Sequence, residues 1–321
     1  MKRENKQAGK GNNKIYDIII IGAGPAGLTA ALYSARNGLN VGVVSKDIGG
    51  TVNSVLRIEN WPGFSGSGPE LIKNFYEQVK KYPIDFIIEE VVSIENKSYK
   101  IKDKGFLVKT KRQELKCKSL IFSTGSQRKK LKINGEEKFL GRGVSYCATC
   151  DAFFFKNKDV AVIIDSDCNS SSALVLSDVA RKVYLIYRGE KLRCDGLDAK
   201  KLNEKKNVQA YYSCIPLEVV GKDKVEGLKI SCKSKKEVIQ VDGIFIEEDF
   251  KPISELSKNL GLKINNEKFI EVDEDMKTSI EGIYAAGDIT HTKLKQVVVA
   301  ASQGATAAKS AYDWLSKKGN I

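Results

Sequence analysis

One stretch near the start of the chain limits the folds open to it. Tyr16-Asp17-Ile18-Ile19-Ile20-Ile21 is a short apolar run rich in β-branched residues, the pattern of a buried parallel strand. Gly22-Ala23-Gly24-Pro25-Ala26-Gly27 follows without a gap. Leu28 to Asn37 then reads as a helix closed by Gly38, and Val41-Gly42-Val43-Val44 as the next strand. Strand, glycine turn, helix and strand form the setting in which G-x-G-x-x-G binds a dinucleotide. Gly22 permits the tight turn, Gly24 lets a pyrophosphate approach the backbone, and Gly27 allows the helix to pack close to the strand. The helix N-terminus offers its N–H groups to the phosphates. The second strand of such a unit usually ends in an acid that binds the ribose. Here that place is Ser45-Lys46, so the ribose contact must differ.

A second stretch carries the chemistry. Cys147-Ala148-Thr149-Cys150-Asp151 sets two thiols two residues apart with a carboxylate directly after them. C-x-x-C marks either a redox pair or a metal site. Zinc wants four ligands, and the chain has one His, His291, and no second C-x-x-C. Cys117, Cys168, Cys194, Cys214 and Cys232 are scattered singly. The redox reading therefore leads and no metal is expected. His291 falls in a loop and is given no role.

The chain has 321 residues, which suggests two domains. Its 42% hydrophobic and 29% charged residues fit a soluble globular protein. No apolar run is long enough to span a membrane, and MKRENKQAGKGNNK has no signal-peptide core. An odd total of 7 Cys argues for a reducing cytoplasm, with the C-x-x-C as a cycling pair. The formal net charge of +13 attracts acidic partners. No helix-turn-helix, RNA-binding or zinc-finger motif is present, so an acidic protein is expected rather than nucleic acid or a membrane.

Residues 1–14 read as a disordered basic tail. After the second strand, Asp47-Ile48-Gly49-Gly50-Thr51 is a glycine-rich turn and Ile58 to Phe64 a loop of turn-formers. A helix is expected over about 69–81 and β structure up to Lys118. Leu120-Ile121-Phe122 runs as a strand into Ser123-Thr124-Gly125-Ser126. Late in the chain, Ile283 to Asp288 reads as a strand ending in Gly-Asp, and Lys295-Gln296-Val297 opens a helix to about Leu315.

GAGPAG between strand and helix, ENWPGF, STGS, GVSYCATCD and AAGD together resemble the low-molecular-weight thioredoxin reductases, from about Tyr16 to Tyr312. The resemblance implies an α/β chain of two Rossmann-like, three-layer domains. An FAD domain is split into 15–126 and 252–321, and a central redox domain, 127–251, is inserted in it. It implies that FAD is held first by Gly22, Gly24, Pro25, Ala26 and Gly27, then by Lys46, Gly50, Thr51, Asn60, Thr124 and Gly125. Gly287, Asp288, Lys295, Gln296 and Val297 complete that set, with Asp288 on the ribityl hydroxyls. It further implies a homodimer that reduces thioredoxin. Cys150 would face the flavin, Cys147 would attack the thioredoxin disulfide, and Asp151 would move the proton.

The central domain departs from the family where NADPH would bind. The family's G-G-G-D-S-A turn falls on Ile164-Asp165-Ser166-Asp167-Cys168-Asn169, and its H-R-R-x-x-x-R on Tyr187 to Arg193, where Tyr187 and Gly189 replace His and Arg. Its I-G-x-x-P turn falls on Glu248 to Pro252, in an acidic cluster with Glu247. Unit charges about 4 Å apart repel by roughly 4 kcal/mol at an effective dielectric of 20. That would cut affinity on the order of a thousandfold. NADPH is therefore not expected. A branch of the family takes electrons from ferredoxin, typically acidic, and the +13 charge suits it. Flavodoxin or a deazaflavin are alternative donors. A FAD-dependent dithiol oxidase and a non-enzymatic FAD scaffold are the other readings. Relatives of the oxidase kind often carry Pro inside the C-x-x-C, where this chain has Ala148-Thr149.

Overall fold

The computed structural model describes residues 14–55, 57–100, 103–128, 130–164, 170–192, 201–202, 204–247, 250–252, 255–319 and 321. The chain forms two compact α/β units. The first comprises Met1–Ser54, Gly68–Ser126 and Pro252–Ile321, and the second Val55–Ser67 and Gln127–Lys251. The segment Val55–Ser67, expected with the first unit, groups with the second. Within that unit the Arg57 guanidinium lies 5.3 Å from the centre of the Phe154 ring, just after the Cys147–Cys150 turn.

In the first unit, four strands run parallel in the order Ile84–Ile88, Val41–Ile48, Ile15–Ala23 and Glu114–Phe122. Ile18 pairs with Val41 on one side and Ser119 on the other. Flanked on both edges and covered on both faces, the first strand is apolar from Ile18 to Ile21, and Ile18, Ile19 and Ile20 are fully buried. Ile283–Ala285 joins beyond Glu114–Phe122, in parallel with Leu120 to Phe122. The antiparallel strands Val91–Lys100 and Asp103–Thr110 extend from the opposite end of the same strand. The helices Pro25–Arg36 and Val297–Lys317 pack on each other through Ala and Gly. The helix expected over 69–81 is Gly68–Val79.

The second unit holds five parallel strands in the order Val144–Ser145, Gly243–Glu247, Asp159–Ile164, Lys182–Tyr187 and Val208–Tyr211. The helix Ser170–Ser177 follows the third of these. The turn between them, 165–169, lies outside the described residues, as do Arg193, Cys194, Glu248 and Asp249. Three antiparallel strands, Cys214–Val220, Gly227–Cys232 and Lys235–Gln240, form a second sheet. Its apolar face joins Val219, Leu228, Ile230 and Ile239 to Ile163, Ile186, Ile244 and Ile246 in one core. One expectation is corrected here: Cys214 and Cys232 are not single thiols but a disulfide between neighbouring strands. Cys117 is free and fully buried, and burial pushes its thiol pKa up.

Candidate flavin and dithiol sites

The glycine turn is built as a phosphate cradle. Gly22 holds φ +104°, where a side chain would be strained, and a Cβ there would overlap the Ser123 carbonyl. The Ser123 N–H donates to the Ile21 carbonyl at 2.8 Å. Gly24 is the N-cap of Pro25–Arg36 and has extended backbone. No side chain caps that helix, Pro25 opens it, and its first turn has no acid. A Cβ on Gly24 would meet nothing closer than the Gly49 carbonyl at 3.9 Å, which leaves the approach to the helix N-terminus open. A Cβ on Gly27 would overlap the Gly22 carbonyl.

The neighbouring loop is tied to this turn. The Gly49 N–H donates to the Ala23 carbonyl at 2.8 Å, and the Gly50 N–H to Asp47 Oδ1 at 2.9 Å. Ser45 Oγ accepts the Ala23 N–H at 3.0 Å, so the residue standing where a ribose acid is usual braces the turn instead. Lys46 pairs with Glu90 at 2.6 Å on the surface. Thr51 lies in the 3-10 turn Gly50–Ser54, and Thr124 and Gly125 follow the strand Glu114–Phe122. Asn60 lies in the strand Ile58–Trp61, within the second unit.

The late segment closes the same site. The Gly287 N–H donates to Gln303 Oε1 at 2.8 Å, and Gln303 Nε2 to Thr292 Oγ1 at 2.6 Å. A Cβ on Gly304 would overlap the Ala26 carbonyl, so the last helix lies directly on the glycine turn's helix. Asp288 stands beside Gly287, Gln296 is the N-cap of the last helix, and Val297 is its first residue. Lys295 Nζ donates to the Thr290 and Asp288 carbonyls at 2.5 and 3.2 Å and sits 4.1 Å from the Phe269 ring centre. Burial pulls its pKa down to about 8, against the opposing charges of Asp288 and Glu267. The uncapped helix start, the open approach at Gly24 and the close Gly22, Gly27 and Gly304 contacts fit a bound dinucleotide such as FAD.

The thiol site lies in the second unit. Cys147 is oxidised in a disulfide. Ala148–Asp151 forms a single helical turn that carries Cys150, whose side chain lies outside the described set. Buried Ser145 organises this turn. Its hydroxyl accepts the Cys147 N–H at 3.0 Å and donates to Asp151 Oδ2 at 2.6 Å. The Ala148 N–H donates to Glu247 Oε1 at 3.3 Å. Tyr146, next to Cys147, donates its hydroxyl to Glu136, a carboxylate only 1% exposed that also accepts the Leu131 and Lys132 N–H groups. The arrangement holds a carboxylate ready to exchange a proton beside a disulfide turn.

Sequence reasoning gave no role to Ser145, Gln303 or Gly304, and it placed Glu247 in an acidic cluster rather than at the thiol turn. At the far end of the parallel sheet, Tyr187 is buried. A Cβ on Gly189 would lie 2.5 to 3.0 Å from the Tyr187 ring, so that ring covers residue 189. Tyr212 packs edge-on against Tyr187 with ring centres 6.5 Å apart, and the Ser213 N–H donates to the Gly189 carbonyl at 2.8 Å. Arg188 is exposed. Among the described residues no cluster of three or more His, Cys, Asp or Glu could hold a metal, and no helix is long and apolar enough to cross a membrane.

Comparison with known proteins matches this geometry. The profile of the family described as pyridine nucleotide-disulphide oxidoreductase matches residues 16–304. Thioredoxin reductase of Aquifex aeolicus is 37% identical over 315 residues, which is 96% of this chain and 96% of the relative. The crystal structure of thioredoxin reductase from Streptococcus pyogenes aligns with a TM-score of 0.89 at 34% identity, over 95% of this chain and 100% of that one. A ferredoxin-flavin thioredoxin reductase from Clostridium acetobutylicum aligns with a TM-score of 0.52 at 33% identity, over 96% of this chain and 100% of that one.

Proposed function

The chain belongs to the pyridine nucleotide-disulphide oxidoreductase family and, within it, to the thioredoxin reductases, and we propose that it reduces thioredoxin, with electrons from reduced ferredoxin rather than from NADPH. In this reading it is an FAD-dependent cytoplasmic homodimer whose exchanging group is the Cys147–Cys150 disulfide. The observation that carries the choice of donor is the Tyr187 ring lying across Gly189. A side chain at 189 would require that ring to shift, and glycine there leaves one grip on a nucleotide phosphate missing. The net charge of +13 and the likeness to the Clostridium acetobutylicum protein add support.

When bound, FAD supplies the two-electron reduction of the Cys147–Cys150 pair. The chain does the rest. The Cys147 thiolate attacks the thioredoxin disulfide to form a mixed disulfide. Cys150 then attacks Cys147 and releases thioredoxin as a dithiol. Asp151, held by the Ser145 hydroxyl, takes up and returns the proton.

A second reading keeps a pyridine nucleotide as donor. The unbroken five-stranded parallel sheet of the second unit and the higher TM-score against the Streptococcus pyogenes enzyme favour it. An anaerobic absorbance titration of the FAD-loaded protein separates the two. Bleaching with ferredoxin kept reduced by an independent system, and not with NADPH or NADH, followed by reduction of added thioredoxin, is the expected result. Fast bleaching with NADPH would sink the ferredoxin reading.

A further inference from the structure

Cys214 and Cys232 face each other across neighbouring antiparallel strands with Cα atoms 4.2 Å apart. Cys232 is on the middle strand of the three, so its other cross-strand partner is Lys235. Directly opposed residues project from the same face of a sheet. Lys233 follows Cys232 at once, and both lysines are exposed. Glu237 lies two residues beyond Lys235 on the same face and is the carboxylate that opposes them. The two sulfurs have unequal settings. Cys214 belongs to the core at 1% exposure, whereas Cys232 is only partly buried at its rim. Of the two, Cys232 is the more open to an incoming nucleophile. Lys235 and Lys233 place positive charge on the Cys232 side of the pair, and a cationic setting favours a thiolate.

The geometry points to Cys214–Cys232 as a second thiol–disulfide exchange site, one that is opened by the dithiol form of a thioredoxin-class protein. It rests on the reading that thioredoxin is the acceptor at Cys147. A thiolate of the incoming dithiol attacks Cys232 Sγ, the Cys214–Cys232 bond breaks, and Cys214 leaves as a thiolate that takes a proton. The partner's second thiol loses its proton and attacks the partner sulfur of the mixed disulfide. That breaks the bond to Cys232, which leaves as a thiolate beside Lys235 and Lys233. Two electrons pass to the pair, and the partner becomes a disulfide. The product of the first site is thus the reductant of the second, so the pair opens as reduced thioredoxin accumulates.

The test uses the full-length FAD-loaded protein under argon, equilibrated with thioredoxin at fixed dithiol to disulfide ratios, then acid-quenched and alkylated. Mass mapping reads Cys147, Cys150, Cys214 and Cys232 separately. Labels at Cys214 and Cys232 should rise together, half-complete at a ratio within about a hundredfold of unity. Replacing both lysines, Lys233→Gln with Lys235→Gln, should slow opening about threefold at pH 7, the effect of one pKa unit at Cys232 through a Brønsted slope of about 0.4–0.5. A pair that stays closed while the Cys147 pair opens in excess reduced thioredoxin overturns the inference and leaves a static cross-link. If neither pair responds, the acceptor reading falls separately. Dithiothreitol then reads access alone: a pair that stays closed in the folded protein overturns the site, and a pair that opens to dithiothreitol but not to thioredoxin overturns the thioredoxin-class partner.

Discussion

Ser145 and Lys295 are the residues whose neighbours make the firmest single-site predictions. Ser145→Ala removes the hydroxyl that donates to Asp151 at 2.6 Å. Losing a hydrogen bond to a carboxylate raises its pKa, so the acid limb of the pH profile for thioredoxin reduction should move to higher pH. The rate at neutral pH should fall about tenfold, in line with roughly 1.5 kcal/mol for a bond to a charged group. Stopped-flow traces from pH 5 to 9 would check both. Cys147→Ser should keep flavin reduction and lose transfer to thioredoxin, read by flavin absorbance and by a thioredoxin assay in the same sample. Lys295 is charged below its folded pKa of about 8, whereas its ordinary value is 10.5. The unfolded chain binds the extra proton between those values, so this group adds stability as pH rises from about 8 to 10.5. Relative to Lys295→Met, the wild-type Tm should therefore climb across that window. A flat difference would contradict the buried ammonium. Gly22 and Gly27 were legible in the sequence because the backbone there has no place for a side chain, and Gly24 because its spacing completes the motif. Ser145 and Gln303 were not, since a hydrogen-bond partner leaves no periodicity or spacing to read.

At the scale of elements, the contact between Pro25–Arg36 and Val297–Lys317 is the most exposed to a single methyl group. Gly304→Ala would drive a Cβ into the Ala26 carbonyl. Overpacking of this kind costs about 1–3 kcal/mol. Because the same shift displaces the helix start at the phosphate cradle, the variant should also release FAD on gel filtration, while Ala305→Gly should not. Strands and helices of the first unit were readable from their apolar runs and caps, but several ends were misplaced: the first helix begins at Pro25 rather than Leu28, and the second strand runs on to Ile48 rather than stopping at Val44. The helix expected over 69–81 begins and ends earlier, at Gly68 and Val79. The Cys214–Cys232 pairing was hidden for a different reason. Register in that hairpin depends on an irregularity between Pro216 and Glu218, which no alternation of side chains announces.

For the whole molecule, charge is the property that reaches farthest. With a net +13, the rate of reduction by an acidic protein donor should fall as salt is raised from about 0.01 to 0.15 M, where the screening length shrinks from about 30 to 8 Å. Rates measured by stopped flow that ignore salt would argue against steering by the basic surface. Two units were expected from the length of the chain, and the split of the first only from the family resemblance. The membership of Val55–Ser67 was not expected, because it depends on packing such as Arg57 on Phe154 rather than on order along the chain. The Gly304 contact with Ala26 has a consequence for biosynthesis. The phosphate cradle is translated well before the helix that seals it. A nascent chain that stops short of Gly304 has the cradle's sequence without its wall. Loading of the cofactor is thereby postponed until Gly304 has been made, and chains truncated before it are predicted to emerge colourless.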